Sequence, residues 1–166
     1  MYKRLLIGNT SWNMRTATIL LIMAVLPNLL GALEYVTVLG YRVHFFQGPV
    51  FLAAAMYGPL GGGLAGAAGS VYTAASLGNP YIVVGNLLLG GLTGLFLRFR
   101  LPLVAAVLLA YLVQLPFLWA TDVYLVGMPV AVVQKVVIAL LVTNIIWALV
   151  AQLLISRMRR PSPSER

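Results

Sequence analysis

The chain has 166 residues, 61% of them hydrophobic and 8% charged, with 11 Lys and Arg against 3 Asp and Glu, one His and no Cys. Soluble domains carry roughly a quarter charged residues, so this composition argues against a water-soluble globule and points to an all-α integral membrane protein in the cell membrane. The net charge of +8 sits at the seams between apolar stretches, on Lys3, Arg4, Arg15, Arg98, Arg100, Arg157, Arg159, Arg160 and Arg166, where Lys and Arg set topology rather than bind nucleic acid.

The start, Met1 to Arg15, is polar and basic. The apolar run behind it is too long for a signal-peptide core and lacks a clear small-residue cleavage site, so it is expected to be retained. A helix needs about 20 apolar residues to cross a bilayer, and the chain offers six candidate crossings in order: Thr16 to Leu33 with Pro27 inside, His44 to Tyr57, Leu60 to Leu77, Tyr81 to Leu97, Leu101 to Ala120 and Met128 to Ile155. Gly58 and Pro59 separate the second from the third, and the second is short. Six crossings with both termini cytoplasmic place the N-terminal segment, the Arg98 and Arg100 turn and the Arg157 to Arg160 cluster on the inner side, as the bias of Lys and Arg requires. Five would put Arg98 and Arg100 opposite the N-terminus. Residues 1–156 therefore read as a single six-helix domain, and 157–166, rich in Arg, Pro and Ser, as a cytoplasmic tail that cannot bury enough apolar surface to fold alone.

Gly58, Gly62, Gly66, Ser70 and Ala74 recur every fourth residue, a stripe without bulk that another helix can approach closely. It fits either packing within the bundle or docking of a partner subunit. Asn86, Gly90 and Gly94 make a second stripe. Polar groups inside lipid are costly and usually face a cavity or a partner. Lys135 lies about two turns inside the last helix; its ammonium either snorkels to headgroups or aims at a ligand carboxylate or at Asp122. Asn79, Tyr81, Asn86, Trp119, Asp122, Gln134 and Lys135 all fall in the outer halves of the last three helices or their loops, where they could line an apolar cavity with a few convergent polar groups. Asn144 sits deeper and fits interhelical hydrogen bonding equally well. Glu34 near Arg42 and His44 reads as an interfacial ion pair. Without Cys, and with His44 as the lone His, neither a metal site nor a cofactor is expected, and no set of nucleophile and base suggests an enzyme.

The stretch Phe46-Gln47-Gly48-Pro49 through Gly58-Pro59-Leu60-Gly61-Gly62-Gly63-Leu64-Ala65-Gly66, together with six short helices and inside termini, resembles the substrate-binding S components of energy-coupling factor (ECF) transporters. The resemblance implies a subunit that captures a vitamin or similar micronutrient from outside, for ATP-driven uptake by a transmembrane scaffold and two cytoplasmic ATPases. It implies a ligand site near the outer side, at Tyr35, Asn79, Trp119, Asp122 and Lys135. It also implies scaffold contact through small residues of the first helix, which offers Ala17, Ala24, Gly31 and Ala32 in place of an Ala-xxx-Ala pattern. Metal-transporting members begin with Met and His; this chain begins Met1-Tyr2-Lys3, which disfavours a metal substrate. No Walker phosphate loop occurs in the sequence, so ATP use falls to other subunits. Two alternatives stand beside this reading: a small scaffold similar to the membrane subunit of the rod-shape machinery, and a self-assembled channel packed through the glycine stripe.

Overall fold

The computed structural model describes residues 13–31, 35–36, 42–43 and 46–158. Those residues are helical apart from one two-residue strand pair and short turns. The helices are α1 (Met14–Gly31), α2 (Gln47–Gly69), α3 (Val71–Leu77), α4 (Tyr81–Arg98), α5 (Leu103–Ala120) and α6 (Val130–Met158), with a π-helical turn at Thr121–Leu125. Between α1 and α2, β1 (Tyr35–Val36) pairs antiparallel with β2 (Arg42–Val43), Tyr35 opposite Val43. Four helical stretches are long and apolar enough to cross a membrane: Gln47–Leu77, Tyr81–Arg98, Leu103–Leu125 and Val130–Arg157. Met14–Leu30 is a shorter apolar helix.

The first of the four stretches is not one rod. Gly58 takes φ 69° and ψ −156°, a backbone conformation open essentially to glycine alone, and Pro59 follows with a φ suited to a first helical turn. A Cβ built on Gly62 would stand 2.7 Å from the Ala54 Cβ, although a straight helix would part these residues by about 12 Å. The chain therefore folds back at Gly58, and α2 is two antiparallel arms, 47–57 and 59–69. The Gly-Pro pair had marked this break in the sequence.

The second arm lies along α4, and the α2–α4 contact is the most extensive between helices. Built Cβ atoms on Gly62 and Gly90 would each strike the other's carbonyl group, one on Gly66 the Asn86 carbonyl, and one on Gly94 the backbone of Gly58 and Pro59. Both stripes seen in the sequence thus face each other, and the bare backbones touch.

Helix α1 begins at Met14, just after Asn13, whose Oδ1 accepts the Thr16 N–H at 2.9 Å, and it continues through Pro27. Proline withholds an N–H from the helix, so bulk as well as hydrogen bonding changes there. A Cβ on Gly69 would stand 2.7 Å from the Pro27 Cβ. Asn28 donates to Ala24 O at 2.9 Å and Ala68 O at 2.7 Å and accepts from Tyr72 N at 2.8 Å. It thereby satisfies backbone groups freed where the helix breaks at Ser70, between α2 and α3.

The apolar core joins Phe51, Leu89, Leu97, Leu103, Ala106, Val107, Ala110, Tyr111, Ala148 and Ala151, with the Tyr111 hydroxyl donating to Val137 O at 2.7 Å. Around it, large apolar side chains such as Leu21, Leu29, Leu112, Ile146 and Leu153 are exposed, as lipid-facing positions would be. Arg98 lies 3.6 Å from the Cβ position of Gly58, so the Gly58 turn and the α4–α5 connection share one end of the bundle. The 78–80 and 126–129 connections share the other, where Asn79 meets Asp122. Relative to the sequence expectation, the first arm begins at Gln47 rather than His44, and α6 runs on through Arg157, the first residue of the expected tail, to Met158. Residues 159–166, with Ala32, Glu34 and His44, lie outside the described residues.

Candidate ligand-binding cavity

The arm 47–57 occupies only half the height of the bundle. Gly48 abuts the Trp147 ring, with a Cβ position 2.7 Å from Cε3, and Trp147 stands about 25 Å along α6 from Val130 at 1.5 Å per residue. Beyond the start of that arm, α3, α4, α5 and α6 enclose a cavity of about 480 Å³, within the range of small-molecule sites. Its apolar walls include Leu77, Ile82, Leu89, Phe117, Leu118, Val132, Val136 and Leu140, and Phe46 closes it from the side of α2.

At the end of the cavity nearest the 78–80 and 126–129 connections, Asn79 donates from Nδ2 to Asp122 Oδ1 at 2.7 Å, and both residues are buried. Asn79 Oδ1 in turn accepts the Tyr81 N–H at 3.1 Å, and the Asp122 carbonyl accepts the Met128 N–H at 2.9 Å. A single polar chain therefore ties the two connections together across that end of the cavity. Asp122 belongs to the π-helical turn, where the extra residue per turn re-aims side chains; such turns recur at functional sites. Thr121 bonds back to Phe117 O at 2.9 Å within that bend.

Of the residues singled out in the sequence, Asn79, Tyr81, Asn86, Asp122 and Lys135 border this cavity. Asn86 is buried and donates to Ile82 O at 2.9 Å, the turn before it. Lys135 borders the cavity but is largely exposed, and among the described residues no ion pair joins it to Asp122. Trp119 is half-buried and Gln134 exposed, and neither borders the cavity. Tyr35 lies in β1, where only the backbone is described.

Of the small residues singled out for docking, Gly58, Gly62 and Gly66 face elements of the same chain, as set out above. Ala24 turns its carbonyl towards Gly69 and Asn28, Gly31 is the last residue of α1, and Ala32 is not among the described residues.

The cavity also has lining residues that the sequence reading did not assign to it. Thr73, Gln114 and Asn144 border it, each buried, and Thr73 Oγ1, Gln114 Oε1 and both amide atoms of Asn144 have no hydrogen-bond partner. Gly85 lies opposite Gln114 and leaves its amide room, with a Cβ position 3.1 Å from Nε2. The available signal was a lone amide in the apolar helix α5 and one of three amides in α6, which also fits interhelical bonding.

No protein-family model matches the chain, and neither a curated protein nor a solved structure shows significant similarity to it.

Proposed function

We propose that this chain is the solute-capture subunit of an importer of the ECF type: a multi-pass cell-membrane protein that holds a small water-soluble vitamin or related micronutrient in the cavity. Six passes with both termini cytoplasmic fit the alternation of α1, the two arms of α2 with α3, α4, α5 and α6. In that orientation Arg98, Arg100 and Arg157 lie inside, where Lys and Arg accumulate, and the Asn79–Asp122 mouth faces out. The carrying observation is the cavity itself, a space of about 480 Å³ lined by apolar side chains and by the polar Asn79, Asp122, Gln114 and Asn144. A transmembrane scaffold and two ATPase subunits would supply the energy, because the chain has no phosphate-binding loop.

The test is ligand capture. Native mass spectrometry of the full chain, purified in detergent and incubated with a library of water-soluble vitamins, should show one saturable adduct. A library that leaves the protein bare would sink this reading and favour the scaffold alternative.

A further inference from the structure

We infer that the inner end of the cavity receives the uncharged amide edge of a ring, as in a cyclic amide, ureide or pyrimidinone, with Asn144 as its principal hydrogen-bonding partner. The inference rests on the solute-capture reading and narrows it to a ligand class.

Asn144 is 1% exposed, Gln114 4% and Thr73 4%. They come from α6, α5 and α3, border the same cavity, and leave both amide atoms of Asn144, Oε1 of Gln114 and Oγ1 of Thr73 unpaired. Native proteins rarely leave such groups unsatisfied, and unpaired amide atoms from two helices on one cavity call for a partner there. A carboxamide sets a donor beside an acceptor, which matches an N–H and C=O pair on a ring edge, as Asn matches the edge of adenine. Gln114 Oε1 needs a further N–H or O–H donor, whereas Thr73 lies towards Asn79, whose N–H donates to Ala74 O at 3.0 Å.

Charge decides the orientation. These inner side chains are neutral, and an ionised group among them would lose its hydration without gaining a counter-charge. The charged side chains on the cavity are Asp122, at the mouth, and Lys135, which stands about 13 Å nearer the outer end of α6 than Asn144 at 1.5 Å per residue. The ring therefore enters first, between apolar walls that include Phe117 and Leu89, and a charged tail stays near Lys135 or Asp122.

The experiment uses the full chain in lipid nanodiscs, with biotin, uracil and riboflavin as amide-edge probes and nicotinate and choline as charged probes lacking that edge. Calorimetric titration of the parent should show saturable binding of at least one amide-edge probe and none of the other two. Asn144→Leu, close in volume, should weaken that binding at least tenfold while its unfolding temperature stays at or above the parent's. If Asn144→Leu does not fold, Gln114→Leu carries the same comparison. Unchanged affinity in the variants, or binding confined to ligands without an amide edge, overturns the inference and leaves solute capture standing. Absence of any ligand, from these probes and from the vitamin library, overturns both.

Discussion

Gly62 and Gly63 are neighbours in sequence, yet only one has room for a side chain. A Cβ on Gly62 runs into the Gly90 carbonyl, whereas one on Gly63 meets its nearest atom, Leu87 O, at 3.6 Å. Gly62→Ala should therefore destabilise by about 1–3 kcal/mol through overpacking. Gly63→Ala should be neutral or stabilising by up to about 1 kcal/mol, because alanine favours the helix. Thermal unfolding in detergent separates the two, and equal shifts would contradict the α2–α4 contact. Asn79 is a second residue whose value is local. Asn79→Ala leaves the buried Asp122 carboxylate without its donor and should cost about 1–3 kcal/mol, read as a lower unfolding temperature.

At the scale of elements, three interruptions shape the helices, and each has its own physical cause. Gly58 reverses α2 by adopting a conformation closed to other residues. Ser70 sits at φ −106° and ψ 4° between α2 and α3, and Asn28 repairs that break from α1. Asn28→Leu should lower stability by about 1–3 kcal/mol by stranding the Tyr72 N–H. Asn28→Asp keeps an acceptor for that N–H and loses the donor to Ala68, so its unfolding temperature should fall between those of the parent and the Leu variant. The π-helical turn at Thr121–Leu125 is the third, and it carries Asp122 to the wall of the cavity.

For the whole molecule, the short first arm of α2 matters most, since the space it leaves vacant becomes the cavity while its own half is filled by Phe51, Val107 and Ala148. The proposed orientation makes a direct prediction, and the chain is free of Cys. Single Cys variants at Ser76 and Tyr124 should react with a membrane-impermeant maleimide on intact cells. Variants at Phe99 and Ser156 should react only after permeabilisation. Labelling of Phe99→Cys and Tyr124→Cys from the same side would break the alternation of passes.

The chain order alone determined that apolar helices dominate, where Gly58-Pro59 interrupts them, and that small residues recur every fourth position, because hydropathy, glycine and proline act locally along the backbone. Asn79, Asp122 and Lys135 could be named as a group from their shared distance to helix ends. Which surface the glycine stripe met, and which amides turned towards the cavity, was decided only by the tertiary structure. In an apolar helix the sequence records that a residue is small or polar; its partner depends on helix rotation and on the depth at which the next helix begins. Gln47 starting far down the bundle set that depth, and with it the place of the cavity.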